Sequence, residues 1–247
     1  ARRIATLNAL ANIQKENPVV ITPVRGMIHR FIADISRVPL RTLEIGQEIS
    51  LTDLIEHLTR NAYTRTDLVE KRGEFAVRGG IVDVFLPLAM HPVRIDFFGD
   101  EIEELQYFEV ADQRTSEPVI GKLAILPCRE LLLTDAIRER AEKIKDRYPS
   151  ALEILDKIAE GTIVEGMESL IPLLTDDFET ILDRMPQGTE VIFIDDERIR
   201  SRTADLIETN QEFLEASWSN AAIGGAAPLP VEQVTYLDWK ALQDEIA

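Results

Sequence analysis

Between residues 74 and 110 apolar and polar side chains alternate in four short runs: "EFAVRG", "GIVDVFLP", "PVRIDFF" and "EELQYFEV". A period of two is the mark of a strand with one buried face. In the third run it places Val93, Ile95 and Phe97 on one side and Arg94, Asp96 and Phe98 on the other. In the first, Phe75 and Val77 oppose Ala76 and Arg78. Glycines at the joints and close spacing, including the turn at Gly99 and Asp100, predict antiparallel hairpins in place of parallel crossovers. Ahead of them "SLTDLIEHLTRNAY" predicts a helix opening at Ser50 or Thr52, with Leu51, Leu54, Ile55 and Leu58 on one stripe. Residues 45–126 therefore read as a small α+β unit.

The flanks carry a different pattern. Val19 to Ile21 reads as a short buried strand, followed by a helix with Thr22 at its N-cap and Pro23 at the first helical position. Beyond residue 127 the period lengthens to that of helices. One starts at Thr134 and buries Ile137, Ala141, Ile144 and Tyr148. A second has Ser150 and Glu153 as a capping box and Gly161 as its stop. Val191 to Ile194 reads as another buried strand running into a helix, and "SNAAIGGAAPLPVE" reads as a linker. The expected organisation is 1–44, 45–126, 127–218 and a linker with C-terminal extension over 219–247, with strand-to-helix units of α/β type around the insert.

Charge narrows the functions open to such a chain. Its 247 residues hold 27 Lys+Arg against 44 Asp+Glu, a formal charge of −17. Only residues 1–44 are basic, with seven Lys/Arg against three Asp/Glu; residues 45–126 hold eight against fifteen. An acidic surface repels phosphate backbones, so DNA binding would need a strong local basic patch. Cys128 is the single cysteine, which leaves no disulfide framework or zinc cluster and predicts a cytoplasmic protein. No apolar run has the length of a membrane span. The opening "ARRIATLNALANIQ" is helix-like without a cap or start signal, and reads as part of something longer.

Candidate chemistry is sparse. "GTIVEG", Gly161 to Gly166, has the glycine spacing of a phosphate-binding loop, but Met167 and Glu168 stand where that loop needs Lys and Ser/Thr. It reads as a helix stop and turn. "VIFIDD" ends on Asp195 and Asp196, like a magnesium-binding strand, yet an acidic pair is equally a helix N-terminus. His29, His57 and His91 are scattered, with no second ligand at metal spacing. No catalytic residue, metal or cofactor is expected. What remains is the second face of the strands. If they share a sheet, Arg78, Arg94 and Phe98 form one exposed patch of the residue types enriched at binding hot spots. Alternation leaves a second reading open, in which Phe98 bends inward at a bulge and the arginines pair with acids such as Asp96.

Over Tyr63 to Thr115 the sequence resembles the UvrB-homology region of the bacterial transcription-repair coupling factor (Mfd) family. The blocks R-G-E-F-A-x-R-G, D-x-F, R-I-D-F-F-G-D-E-I-E and F-x-V-x-D-Q-R-T carry the resemblance. UvrB has a related pattern, but "ADQRT" and the absence of its DNA-clamping hairpin favour the coupling factors. "TPVRGMIHRF", "LPCRELLLTDAIRERA" and "EGTIVEGMESLIPLL" extend it across nearly the whole chain, leaving about the last twenty residues unmatched.

This resemblance implies a degenerate P-loop NTPase-like layer (UvrB domain 1-like) into which the antiparallel α+β domain (UvrB domain 2-like) is inserted. It implies a module without catalysis that recruits UvrA in nucleotide excision repair. UvrA-contacting positions fall on Arg78, Arg94 and Phe98, with Arg65 in "YTRTD" matching a further arginine of UvrB. Another UvrB arginine is Ala76 here. RNA polymerase and DNA would be partners of the parent protein, an ATP-dependent translocase, through domains not in this chain. The alternative is a nucleic-acid-binding or NTPase domain related to the helicase half of UvrB; a third possibility is a patch covered by another domain of the parent until activation.

Overall fold

The computed structural model describes residues 2–11, 19–33, 35, 40–222 and 236–246. The chain is mixed α/β with antiparallel sheets and divides into two compact units, Ala1–Asn8 with Arg37–Thr134, and Ala9–Ser36 with Asp135–Ala247. In chain order the strands are β1 (Phe31–Ile32), β2 (Arg41–Leu43), β3 (Thr64–Arg65), β4 (Glu74–Arg78), β5 (Ile81–Val84), β6 (Val93–Phe98), β7 (Glu101–Phe108), β8 (Thr115–Pro118), β9 (Leu123–Ile125) and β10 (Phe178–Glu179).

The first unit is built on a six-stranded sheet in the order β3-β4-β5-β6-β7-β8. All its pairs are antiparallel except β3–β4. The hairpins follow from their turn residues: Gly79 and Gly99 each take positive φ, which a side chain at those positions would resist. The expected helix spans Leu51–Arg60, and Ser50 caps it, its side chain accepting from the Asp53 N–H. Leu54 and Leu58 from that helix bury against Phe75, Val82, Val84, Val93, Ile95, Ile102 and Leu105 of one sheet face. Where the insert begins and ends, β2 pairs with β9 through Arg41↔Ile125 and Leu43↔Leu123. The unit thus reaches beyond the 45 and 126 drawn from the sequence, to residues 37 and 134.

One irregularity shapes the sheet. Between β6 and β7 the register runs Asp96↔Glu104, then Phe97↔Ile102, so Glu103 is the extra residue of a bulge on β7. The bulge lets Ile102 and Leu105, three positions apart, both face the core.

The second unit contains the helices Asp135–Ile144 and Leu152–Ala159. Ile137, Ala141 and Ile144 are buried from the first, while Tyr148 is only half-buried. The capping box is absent: Ala151 occupies the N-cap after a 3-10 turn over Pro149–Ala151, and Glu153 instead binds Lys157 at 2.6 Å. Gly161, at φ 83°, ends the helix as expected. Neither strand expected in the flanks forms. Val19 and Ile21 lie exposed outside any strand, and Pro23, not Thr22, is the N-cap of the helix Val24–Ile28. Residues 191–194 alternate in burial, with Val191 and Phe193 packed inward and Ile192 and Ile194 exposed, but no strand pairs with them among the described residues. Apolar runs call for a ladder partner as much as for burial, and these two have none there. The terminal stretch is more structured than a linker. The helix Asp196–Ala222 runs into it, and Tyr236, Leu237 and Leu242 are buried with Met27 and Ile28. Residues 223–235, most of the Gly/Ala/Pro-rich stretch, lie outside the described residues.

Candidate partner-binding face

The face of the six-stranded sheet away from the helix Leu51–Arg60 carries the distinctive chemistry. Reading across it, one rung is Ala76, Asp83, Arg94 and Gln106, and the next is Arg78, Ile81, Asp96 and Glu104. Beyond the second rung stands Phe98, opposite Glu101, with the side-chain-free Gly79–Gly80 turn on its other flank. Phe97 donates its backbone N–H to Gly80 O at 2.9 Å, which locks that corner. With glycine for a neighbour, the Phe98 side chain has nothing to lie against and is 78% exposed. Of the two readings left open by the alternation, the outward phenylalanine is the one adopted. The bulge beside it sits on β7 and does not turn Phe98 inward.

The arginines do pair with an acid, but it is Asp83 and not Asp96. Asp83 is 1% exposed. Arg94 binds it bidentately, Nε to Oδ1 at 2.7 Å and Nη2 to Oδ2 at 2.9 Å, and Arg78 donates Nη2 to Oδ2 at 2.6 Å. The Arg94 guanidinium also stacks over the Phe108 ring at 5.0 Å and donates Nη1 to the Gln113 carbonyl at 3.3 Å. A second, small apolar cluster of Val69, Ala76, Phe85 and Phe108 lies on this side. Arg65 is exposed at the edge of the sheet, on β3 opposite Phe75. The structure thus brings Arg78, Arg94 and Phe98 onto one face but not Arg65, which pairs in parallel with core-facing Phe75 and so stands at the sheet edge in register with the opposite face.

Asp83, Ile81 and Gln113 did not emerge from the sequence as site residues. The first had a signal, since a carboxylate between Val82 and Val84 in a buried strand demands a cationic partner. Gln113 holds a positive φ of 61° and donates Nε2 to Val110 O at 2.9 Å, so it fixes the loop whose carbonyl Arg94 uses. On the outer rung, burial raises the Asp96 carboxyl above the usual carboxylate range; Arg94 opposes the shift and Glu104, Asp83 and Glu103 add to it.

The other motifs take the following places in the fold. Met167, after the Gly161–Gly166 loop, is buried in a 3-10 helix over Met167–Leu170, so the loop is a helix stop and turn. Asp195 accepts from the Arg198 N–H at 3.3 Å and opens the helix Asp196–Ala222. His29 packs edge-on to Tyr236, His57 contacts the Asn61 amide at 3.2 Å and His91 pairs with Glu109. Burial pushes the Cys128 thiol up to about 12, so it stays protonated. Among the described residues no group of His, Cys, Asp and Glu is placed to hold a metal ion, and no helix is long and apolar enough to cross a membrane.

Comparison with known proteins finds the same region. The UvrB interaction domain family matches residues 42–131. The chain is 46% identical over 229 residues to the transcription-repair-coupling factor of Mycobacterium tuberculosis (strain CDC 1551 / Oshkosh), covering 87% of the chain and 19% of that protein. The factor of Myxococcus xanthus is 35% identical over 205 residues, covering 77% and 17% respectively. That of Bacillus subtilis (strain 168) is 27% identical over 234 residues, covering 87% and 20%. The chain therefore spans about a fifth of the length of these relatives.

Proposed function

This chain belongs to the transcription-repair coupling factor family and carries a UvrB interaction domain, and from that premise we propose that it is a docking module that recruits UvrA in transcription-coupled nucleotide excision repair. The observation that carries this reading is an exposed phenylalanine and a half-exposed arginine on the same sheet face. Aromatics and arginine dominate binding hot spots because they offer large contact area and directed charge at low entropic cost. Arg78 and Phe98 supply the principal contacts, Arg94 lies beneath them, and Arg65 stands apart at the sheet edge as a peripheral contact.

The module performs no catalysis in this reading. Met167 and Glu168 occupy the places where a nucleotide site needs a lysine and a hydroxyl, and an acidic chain has no track for nucleic acid. ATP-driven movement on DNA and contact with RNA polymerase belong to the remainder of the parent protein. The deciding experiment is titration of the chain with purified UvrA, wild type against Phe98→Ala. Saturable binding that Phe98→Ala weakens by about 2 kcal/mol supports the assignment; absence of binding by the wild-type chain refutes it.

A further inference from the structure

The two arginines of the docking face are not equivalent, and the difference is set by the carboxylate they share. Asp83 lies at the centre of β5, and a buried carboxylate is tolerated only when its lone pairs are filled by cationic donors. Arg94 stands directly opposite on β6 and fills both oxygens. On the other side the cross-strand partner is Ala76, whose methyl group leaves the space above it open. Arg78, two residues further along β4, leans back across that space to reach Oδ2.

The consequences for exposure are unequal. The Arg94 side chain is 18% exposed, with Nε and Nη2 on Asp83, Nη1 on Gln113 and its plane on Phe108. The Arg78 side chain is 49% exposed and commits only Nη2. Two guanidiniums share this one buried carboxylate, and the outer of them, Arg78, is the less committed to it. We propose that Asp83 is a positioning residue: through it Arg94 acts as a strut, and Arg78, held on the face that Phe98 shares, is the cation offered to the partner. The complementary surface then carries a carboxylate for Arg78 and, apart from it, an apolar pocket that takes the Phe98 ring. This rests on the reading of the face as the UvrA-docking surface.

The test uses the full chain, UvrA binding kinetics and the arginine side-chain NMR signals. Asp83→Asn keeps shape and removes the charge. It should weaken UvrA binding about tenfold, as expected for loss of charge-assisted hydrogen bonds. In an Arg78→Ala background the same change should add less than about twofold, because the residue it positions is already gone. In the wild-type chain the Arg94 Nε–H should be protected from solvent exchange and Arg78's should not, with Arg94→Lys identifying the signal by its loss. Asp83→Asn that is folded and binds UvrA like wild type overturns the proposal, as does an undiminished effect in the Arg78→Ala background. If Asp83→Asn does not fold, the wild-type signals decide: an unprotected Arg94 Nε–H overturns it. Failure of the wild-type chain to bind UvrA removes the docking reading instead, while protection of the Arg94 Nε–H still tests whether Asp83 holds the strut.

Discussion

Phe97 and Phe98 are adjacent and serve opposite ends. Phe97 packs against the core cluster from a half-buried position, and its truncation to alanine should cost roughly 1–3 kcal/mol in urea unfolding. Phe98→Ala should stay within about 0.5 kcal/mol of wild type, since its ring touches little; its loss should instead show in UvrA binding. The arginines separate in the same measurement. Arg94→Glu sets a second carboxylate against buried Asp83 and should destabilise by about 3–5 kcal/mol. Arg78→Glu should cost distinctly less, because Arg94 still satisfies both oxygens. Equal losses would mean that Asp83 depends on both partners alike. Alternation was enough to put Arg78, Arg94 and Phe98 on a common face. It could not name the acid between the arginines, because Asp96 sits nearer in the sequence while Asp83 sits nearer across the sheet.

The strands from Glu74 to Phe108 were legible because one of their faces is buried, which writes a period of two into the chain. The bulge at Glu103 was not, because a bulge interrupts that period and in "EIEEL" looks like irregularity. β8 escaped notice for the reverse reason: Thr115–Pro118 is an edge strand exposed along its length, with no apolar signature and a proline at its end. The helix Leu51–Arg60 was legible from its cap and stripe, and it carries a pH response. Burial, then repulsion from Arg41 and Arg60, pushes His57 down to about 4 from an ordinary 6.5. Unfolded chains therefore bind this proton near pH 6.5 and folded ones only near 4. The contribution is complete above 6.5 and declines as pH falls through that window, with a limiting slope of roughly 1.4 kcal/mol per pH unit. Urea unfolding of His57→Gln should show a shallower loss of stability between these pH values than wild type; parallel curves would remove His57 as the cause.

Two compact units share this chain, and they were unequally readable. The sheet unit closes its hydrogen-bond ladder with its own strands, so local pattern and final structure coincide. In the other unit, Val19, Ile21, Ile192 and Ile194 look like strand interiors in the sequence yet stand exposed, because burial needs a neighbouring layer that a local pattern cannot reveal. The charge of −17 acts on both units. Together with Met167 and Glu168 it predicts that calorimetry with Mg-ATP at millimolar concentration gives no saturable heat. Binding tighter than about 0.1 mM, roughly −5.5 kcal/mol, would contradict a purely docking role.

Arg78 and Phe98 each end a strand at the same end of the sheet, one just before the Gly79–Gly80 turn and the other just before Gly99–Asp100. The loops 85–92 and 109–114 lie at the opposite end. Tolerance to insertions and deletions should therefore be lopsided. One residue added to either two-residue turn re-aims an anchor and should abolish UvrA capture, even when the fold survives. One residue added at exposed Met90, in the longer loop between β5 and β6, should leave capture intact. Length drift is then confined to one rim of the sheet, and the other keeps its count.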